Sequence, residues 1–124
     1  MIDYLGGRET EITGRFAEIL NLGHEVGLTS VVYQEVVQGV SSREEFDRTS
    51  EYLGSLRFYH PQDPVESYTE AARMYFDCRR AGVTIRSAMN CLIARIAIEN
   101  GLLLLHDDRD FEKMAGVVPD LDLA

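Results

Sequence analysis

The chain has 124 residues, 45% of them hydrophobic and 27% charged, with a formal net charge of −9. That suffices for one core, and residues 1–124 are expected to form a single domain. The longest apolar runs, such as Leu102 to Leu105, fall far short of the ~20 residues a membrane helix needs. No basic-then-apolar signal pattern opens the chain, so the expectation is a cytoplasmic protein without membrane association. The negative charge excludes a broad nucleic-acid-binding surface, which wants a basic stripe. Phosphate chemistry would have to be local, with a metal supplying positive charge, while a basic partner protein suits the acidic surface.

In chain order, a first helix is expected over 10–21, with Ile12, Phe16, Ile19 and Leu20 on one face and Gly23 as a stop. Residues 26–28 read as a short strand. Thr29 and Ser30 cap a helix over 31–40. Ser42-Arg43-Glu44-Glu45 reads as a capping box opening a helix to about Ser55, with Phe46 and Leu53 inward. Residues 56–60 form a second strand candidate. Asp63-Pro64 starts a further helix, with Val65, Tyr68, Ala72, Tyr75 and Phe76 as its apolar face and Gly82 as its end. Ser87 caps a helix over 88–100, stopped by Gly101. Leu102 to Leu105 is continuous and apolar, as expected of a strand buried on both faces. A short helix follows from about Phe111, and Val117-Val118 with Leu121 to Leu123 suggest a last edge strand. Strands alternating with helices imply an α/β fold, three layers deep, with a central, mainly parallel sheet. Cys78 and Cys91 share no metal-ligand spacing with each other or with His24, His60 and His106, and read as reduced, buried thiols.

In such sheets, sites form beyond the carboxyl ends of the strands. Three places there carry polar groups: the helix with Glu35, the first turn holding Asn90, and His106-Asp107-Asp108-Arg109-Asp110. Clustered carboxylates repel unless a cation joins them, and oxygen-only ligands suit Mg²⁺ or Mn²⁺. Such an ion can activate water and neutralise charge during attack on a phosphate. Each residue also has a plainer reading. Glu35 sits among Val31, Val32, Tyr33, Val36 and Val37, where a solvated acid is unusual. Asp108 and Asp110 could each simply cap the helix at about Phe111, where an acid also suits the dipole. Asn90 is otherwise one more polar residue in a first turn.

Three strings together resemble the motifs of PIN domains, in the order and spacing of VapC-type toxins from toxin–antitoxin systems. Thr29-Ser-Val-Val-Tyr-Gln-Glu-Val-Val-Gln-Gly39 resembles the second acidic motif. Thr84-Ile-Arg-Ser-Ala-Met-Asn-Cys-Leu-Ile-Ala94 resembles the third, which normally carries Asp-Cys-Leu-Ile-Ala. Asn100-Gly-Leu-Leu-Leu-Leu-His-Asp-Asp-Arg-Asp-Phe111 resembles the last strand and final motif. The resemblance implies a Mg²⁺- or Mn²⁺-dependent endoribonuclease acting on RNA, usually a homodimer, inhibited by a cognate antitoxin. Carried over, the catalytic positions are Glu35, Asn90 and Asp108, and the metal ligands Glu35, Asp108 and Asp110. Arg86 and Ser87 lie beside the site, where they would touch substrate phosphate or order the loop. Arg79, Arg80 and Arg95 either add positive charge or lie on a solvated face.

Two departures from the pattern bear on activity. Met1-Ile-Asp-Tyr-Leu-Gly-Gly7 matches the family only after its first strand, with Asp3 in the helix that follows. The chain is therefore expected to be N-terminally truncated relative to the family, without that central strand and its catalytic acid. Asn90 stands where the family has Asp, an amide of similar shape but no charge. A catalytically silent remnant that still docks an antitoxin or a second subunit is the alternative expectation.

Overall fold

The computed structural model describes residues 4–6, 25–106 and 108–124; the expected helix over 10–21 lies outside them. The described elements are β1 (Tyr4–Gly6), β2 (Val26–Gly27), α1 (Ser30–Gln38), α2 (Arg43–Gly54), α3 (Glu66–Arg80), α4 (Ala88–Glu99), β3 (Leu103–Leu105) and α5 (Arg109–Ala115). The strands form a parallel sheet of order β2-β1-β3, so the expected α/β class holds.

The centre of that sheet corrects the sequence expectation. The first strand is present: Tyr4–Gly6 fills the central place, with Tyr4 opposite Val26 on one side and Leu103 on the other. Motif letters align these residues with a helix, but the slot between two strands requires a backbone partner on both sides. Leu5 is fully buried there, and Gly6 is the residue at the strand's C-terminal end. A Cβ on Gly6 would lie 2.9 Å from Leu28 Cδ2. The strand itself thus contributes no carboxylate to the sheet's C-terminal edge.

Several helices start as their sequence predicts. Thr29 caps α1 by accepting from Val32 N at 3.2 Å, and Ser42 caps α2 by accepting from Glu45 N at 3.1 Å. Glu45 returns a carboxylate oxygen to Ser41 N, one residue before the expected partner. The helix expected from Asp63-Pro64 begins later, at Glu66 with Val65 as its N-cap; Asp63 Oδ1 still accepts from the amides of Glu66 and Val65, which hold its carboxyl below the usual aspartate value.

The inner face of α3 differs from expectation. Val65, Tyr68 and Phe76 are 73, 51 and 46% exposed, and the helix instead buries Ser67, Ala71, Met74 and Cys78. Small residues along this stripe let α4 approach closely, which the larger aromatic stripe would prevent. Ser67 escapes an apolar-periodicity search because it is polar, yet it is buried with its hydroxyl donating to Glu99 Oε2 at 2.6 Å. Glu99 also accepts from Gln62 N and from Arg95 Nε at 3.0 Å, so Arg95 serves the end of α4 remote from Asn90. In α2, Leu53 points inward as expected while Phe46 is exposed.

The remaining strand candidates shorten to single parallel bridges, Leu28 with Phe58 and Leu104 with Leu123. Leu5, Ile93, Ile96, Leu104, Leu105, Phe111 and Met114 form the centre of the core. Among the described residues, no helix is long and apolar enough to cross a membrane.

Gly27 marks the tightest approach. A Cβ there would meet the Tyr59 ring at 2.4 Å and the Arg57 carbonyl oxygen at 2.9 Å. That carbonyl accepts from Leu28 N at 2.9 Å and cannot retreat without breaking the bridge. Gly27→Ala is expected to lower stability by about 1–3 kcal/mol in urea unfolding, as overpacking does. An unchanged midpoint would mean the backbone yields more easily than this contact implies.

Candidate active-site edge

Two turns bring the candidate residues together. Gly82, at φ 79°, ends α3 and reverses the chain, a conformation that favours glycine. The following segment is anchored by buried Ile85 and delivers Arg86, then Ser87 as the N-cap of α4. The second turn follows β3, where Asp108 caps α5 by accepting from Asp110 N at 2.9 Å. The helix-cap reading of Asp108 is therefore realised, while Asp110, one residue inside the helix, turns inward and is fully buried.

The Asp110 carboxylate is the hub. Its Oδ1 accepts from Arg86 N at 3.0 Å, and its Oδ2 from Ser87 N at 2.9 Å and Asn90 Nδ2 at 3.0 Å. Burial pushes its pKa up, but these three bonds and the Lys113 charge outweigh burial, and the net direction is down. The acid is thus held ionised by fixed donors. Asn90 Nδ2 also donates to Asp108 Oδ2 at 3.1 Å, so one amide bridges both carboxylates. Asn90 is fully buried, and its Oδ1 has no hydrogen-bond partner. Turning the amide over would set that oxygen against two carboxylates, so the observed orientation is the favourable one.

The sequence-predicted residues thus divide. Arg86, Ser87, Asn90, Asp108 and Asp110 converge. Arg86 and Ser87 contribute backbone N–H groups to the cluster; the Arg86 side chain is exposed, and the Ser87 hydroxyl makes no cap bond. Glu35 approaches from elsewhere, half-buried in the second turn of α1. The helix with Glu35 follows β2 and Asp108 follows β3, the two strands on either side of β1, which lie two strand spacings or roughly 10 Å apart. Arg79 and Arg80 are exposed, both about 6 Å from the Phe76 ring centre. Sequence reasoning missed the anchoring role of Asp110, because an acid in a first turn looks the same whether it faces solvent or core.

Beneath the cluster, Cys78 and Cys91 are free, buried thiols, as expected. Burial first, and then the neighbouring Cys78 and the negative Asp110, push the Cys91 thiol up to about 12, which keeps it protonated and unreactive.

The residues as arranged do not make a ready metal site. Among the described residues, no three His, Cys, Asp or Glu side chains gather into a set able to hold an ion. The place between Asp108 and Asp110, where a cation would join them, is taken by the Asn90 amide.

A parallel sheet with a polar cluster beyond its C-terminal edge defines a class, and comparison with known proteins identifies the family. The PIN domain model matches residues 1–117, and the chain belongs to the PIN domain family. It is similar to the VapC ribonuclease Mb1587 of Mycobacterium bovis and to ribonuclease VapC11 of Mycobacterium tuberculosis. Each is 28% identical over 92 residues, covering 74% of this chain and 68% of the relative. Among solved structures it resembles VapBC2 from Rickettsia felis bound to a DNA fragment from their promoter. That match has a TM-score of 0.73 at 18% identity, covering 100% of this chain and 98% of the other. VapBC-1 from nontypeable Haemophilus influenzae matches with a TM-score of 0.68 at 17% identity, covering 100% and 97%. At these identities the structural likeness establishes the fold.

If Asp110 anchors the edge, its removal strands three donors. Asp110→Ala is expected to cost about 3 kcal/mol or more in urea unfolding, since bonds to a charged, buried acceptor are among the stronger ones. A loss near zero would mean the Arg86 and Ser87 amides find other partners.

Proposed function

We propose that this chain is the toxin component of a toxin–antitoxin pair and cleaves RNA as a VapC-type endoribonuclease with Mg²⁺ or Mn²⁺. The observation that carries this reading is the convergence of Arg86, Ser87, Asn90, Asp108 and Asp110 beyond the C-terminal edge of a PIN-family sheet. The α1 helix, carrying Glu35, begins on that same edge. The names of the VapC relatives and of the VapBC complexes support the activity and the partner.

The absence of a ready metal set is compatible with this activity. Mg²⁺ is commonly held by one or two carboxylates together with the substrate's own phosphates. Glu35 and Asp108 are the residues that would hold it, and the ion would supply charge neutralisation and an activated water. The exposed Arg86 guanidinium beside the cluster is suited to a bidentate phosphate contact. A formal charge of −9 opposes RNA elsewhere, so binding is confined to this edge. With an amide at the third motif, turnover is expected to be slow. The acidic surface suits a basic antitoxin segment, and homodimerisation in the cytoplasm accompanies the reading.

One observation favours a second reading, a silent PIN domain that only binds its antitoxin or a second subunit: the two acids of the final motif are already bridged by Asn90. RNA cleavage by the purified chain in Mg²⁺ and Mn²⁺ separates the two. The ribonuclease reading predicts cleavage that EDTA and Glu35→Gln both abolish. Absence of cleavage, with retention of the antitoxin on co-purification, would replace it by the second.

A further inference from the structure

We infer that Asn90 replaces a cation at this edge: its side-chain amide holds Asp108 and Asp110 together, so the chain assembles its site without bound metal. The inference concerns stability and stands whether or not the chain cleaves RNA.

Two carboxylates drawn into one corner, Asp110 buried and Asp108 half-buried, repel each other, and the usual remedies are a shared proton or a cation between them. Neither remedy is needed here. Asp110 accepts from the Arg86 and Ser87 amides at 3.0 and 2.9 Å. Asn90 directs its Nδ2 group to Asp110 at 3.0 Å and to Asp108 at 3.1 Å. An –NH₂ group has two hydrogens, one for each carboxylate, so the bridge uses its whole donor capacity. The remaining atom, Oδ1, is buried with no partner. A buried oxygen left unpaired is unfavourable, and it is tolerated here because the opposite orientation would place oxygen against both acids. The position therefore selects for a donor. An acid there could not bridge the pair without a cation, whereas an amide does so permanently.

The test is thermal unfolding of the purified chain, of Asn90→Asp and of Asn90→Ala, each in EDTA and in saturating Mn²⁺. The wild-type chain is expected to gain the least from Mn²⁺, since its bridge is already in place. Asn90→Asp places a third carboxylate in the corner and is expected to unfold about 5 °C or more lower in EDTA, with Mn²⁺ restoring most of the loss. Asn90→Ala removes the bridge without adding charge; it too should lose stability in EDTA and recover in part with Mn²⁺. Surface acids are common to all three proteins, so a nonspecific Mn²⁺ effect cancels in the comparison. A wild-type Tm that Mn²⁺ raises as much as either variant's would overturn the inference. So would variants as stable as wild type in EDTA. If Asn90→Asp does not fold in either condition, the wild-type shift and Asn90→Ala decide.

Discussion

The candidate site depends on one buried carboxylate. Asp110 ties the turn before α4 to the first turn of α5 through the amides of Arg86 and Ser87. With those two segments joined, Asn90 is presented to Asp110 and Asp108 at once, and Asp108 is fixed as the cap of α5. A carboxylate is the only common side chain that can accept three bonds in so small a space while leaving no donor unmatched. The sheet supplies the frame: β3 delivers the Asp108–Asp110 turn, β2 delivers α1 with Glu35, and β1 holds the two strands apart.

This arrangement explains how a chain of net charge −9 brings two acids together at one edge. The repulsion is met locally by backbone N–H groups and one side-chain amide, all fixed by the fold. An ion at this edge would share its acids with the hydrogen bonds that already hold them. Here Asp108 Oδ1 is engaged in capping, its Oδ2 in the Asn90 bridge, and both oxygens of Asp110 accept bonds. The chemistry open to the edge then rests on what RNA and ion bring together, with Glu35 as the acid outside the bridge.

Much of this was legible from the amino acids. The strand at Leu103–Leu105 is a continuous apolar run, and the helix starts at Thr29, Ser42 and Ser87 follow from residues whose side chains favour caps. The meeting of Asn90 with the Asp108–Asp110 segment was expected from their places around the strand ends, while Arg86 and Ser87 entered only through the family resemblance. Three features were not legible, each for a physical reason. Tyr4–Gly6 is too short to show periodicity, and its strand is defined by neighbours on both sides rather than by its own pattern. The buried stripe of α3 contains Ser67 and small residues, whose burial depends on how closely α4 packs and on Glu99 to receive the hydroxyl. Spacing could assign capping to Asp108 or Asp110 equally, because inward and outward acids differ only once the preceding turn supplies donors.

The most direct test is nuclear magnetic resonance of the Asn90 side-chain amide. Both Nδ2 protons are expected at distinct, slowly exchanging positions, because each is buried against a carboxylate, and adding Mg²⁺ should leave them in place. Rapid exchange with solvent, or loss of the bridged signals on adding Mg²⁺, would contradict a site held together by an amide instead of a cation.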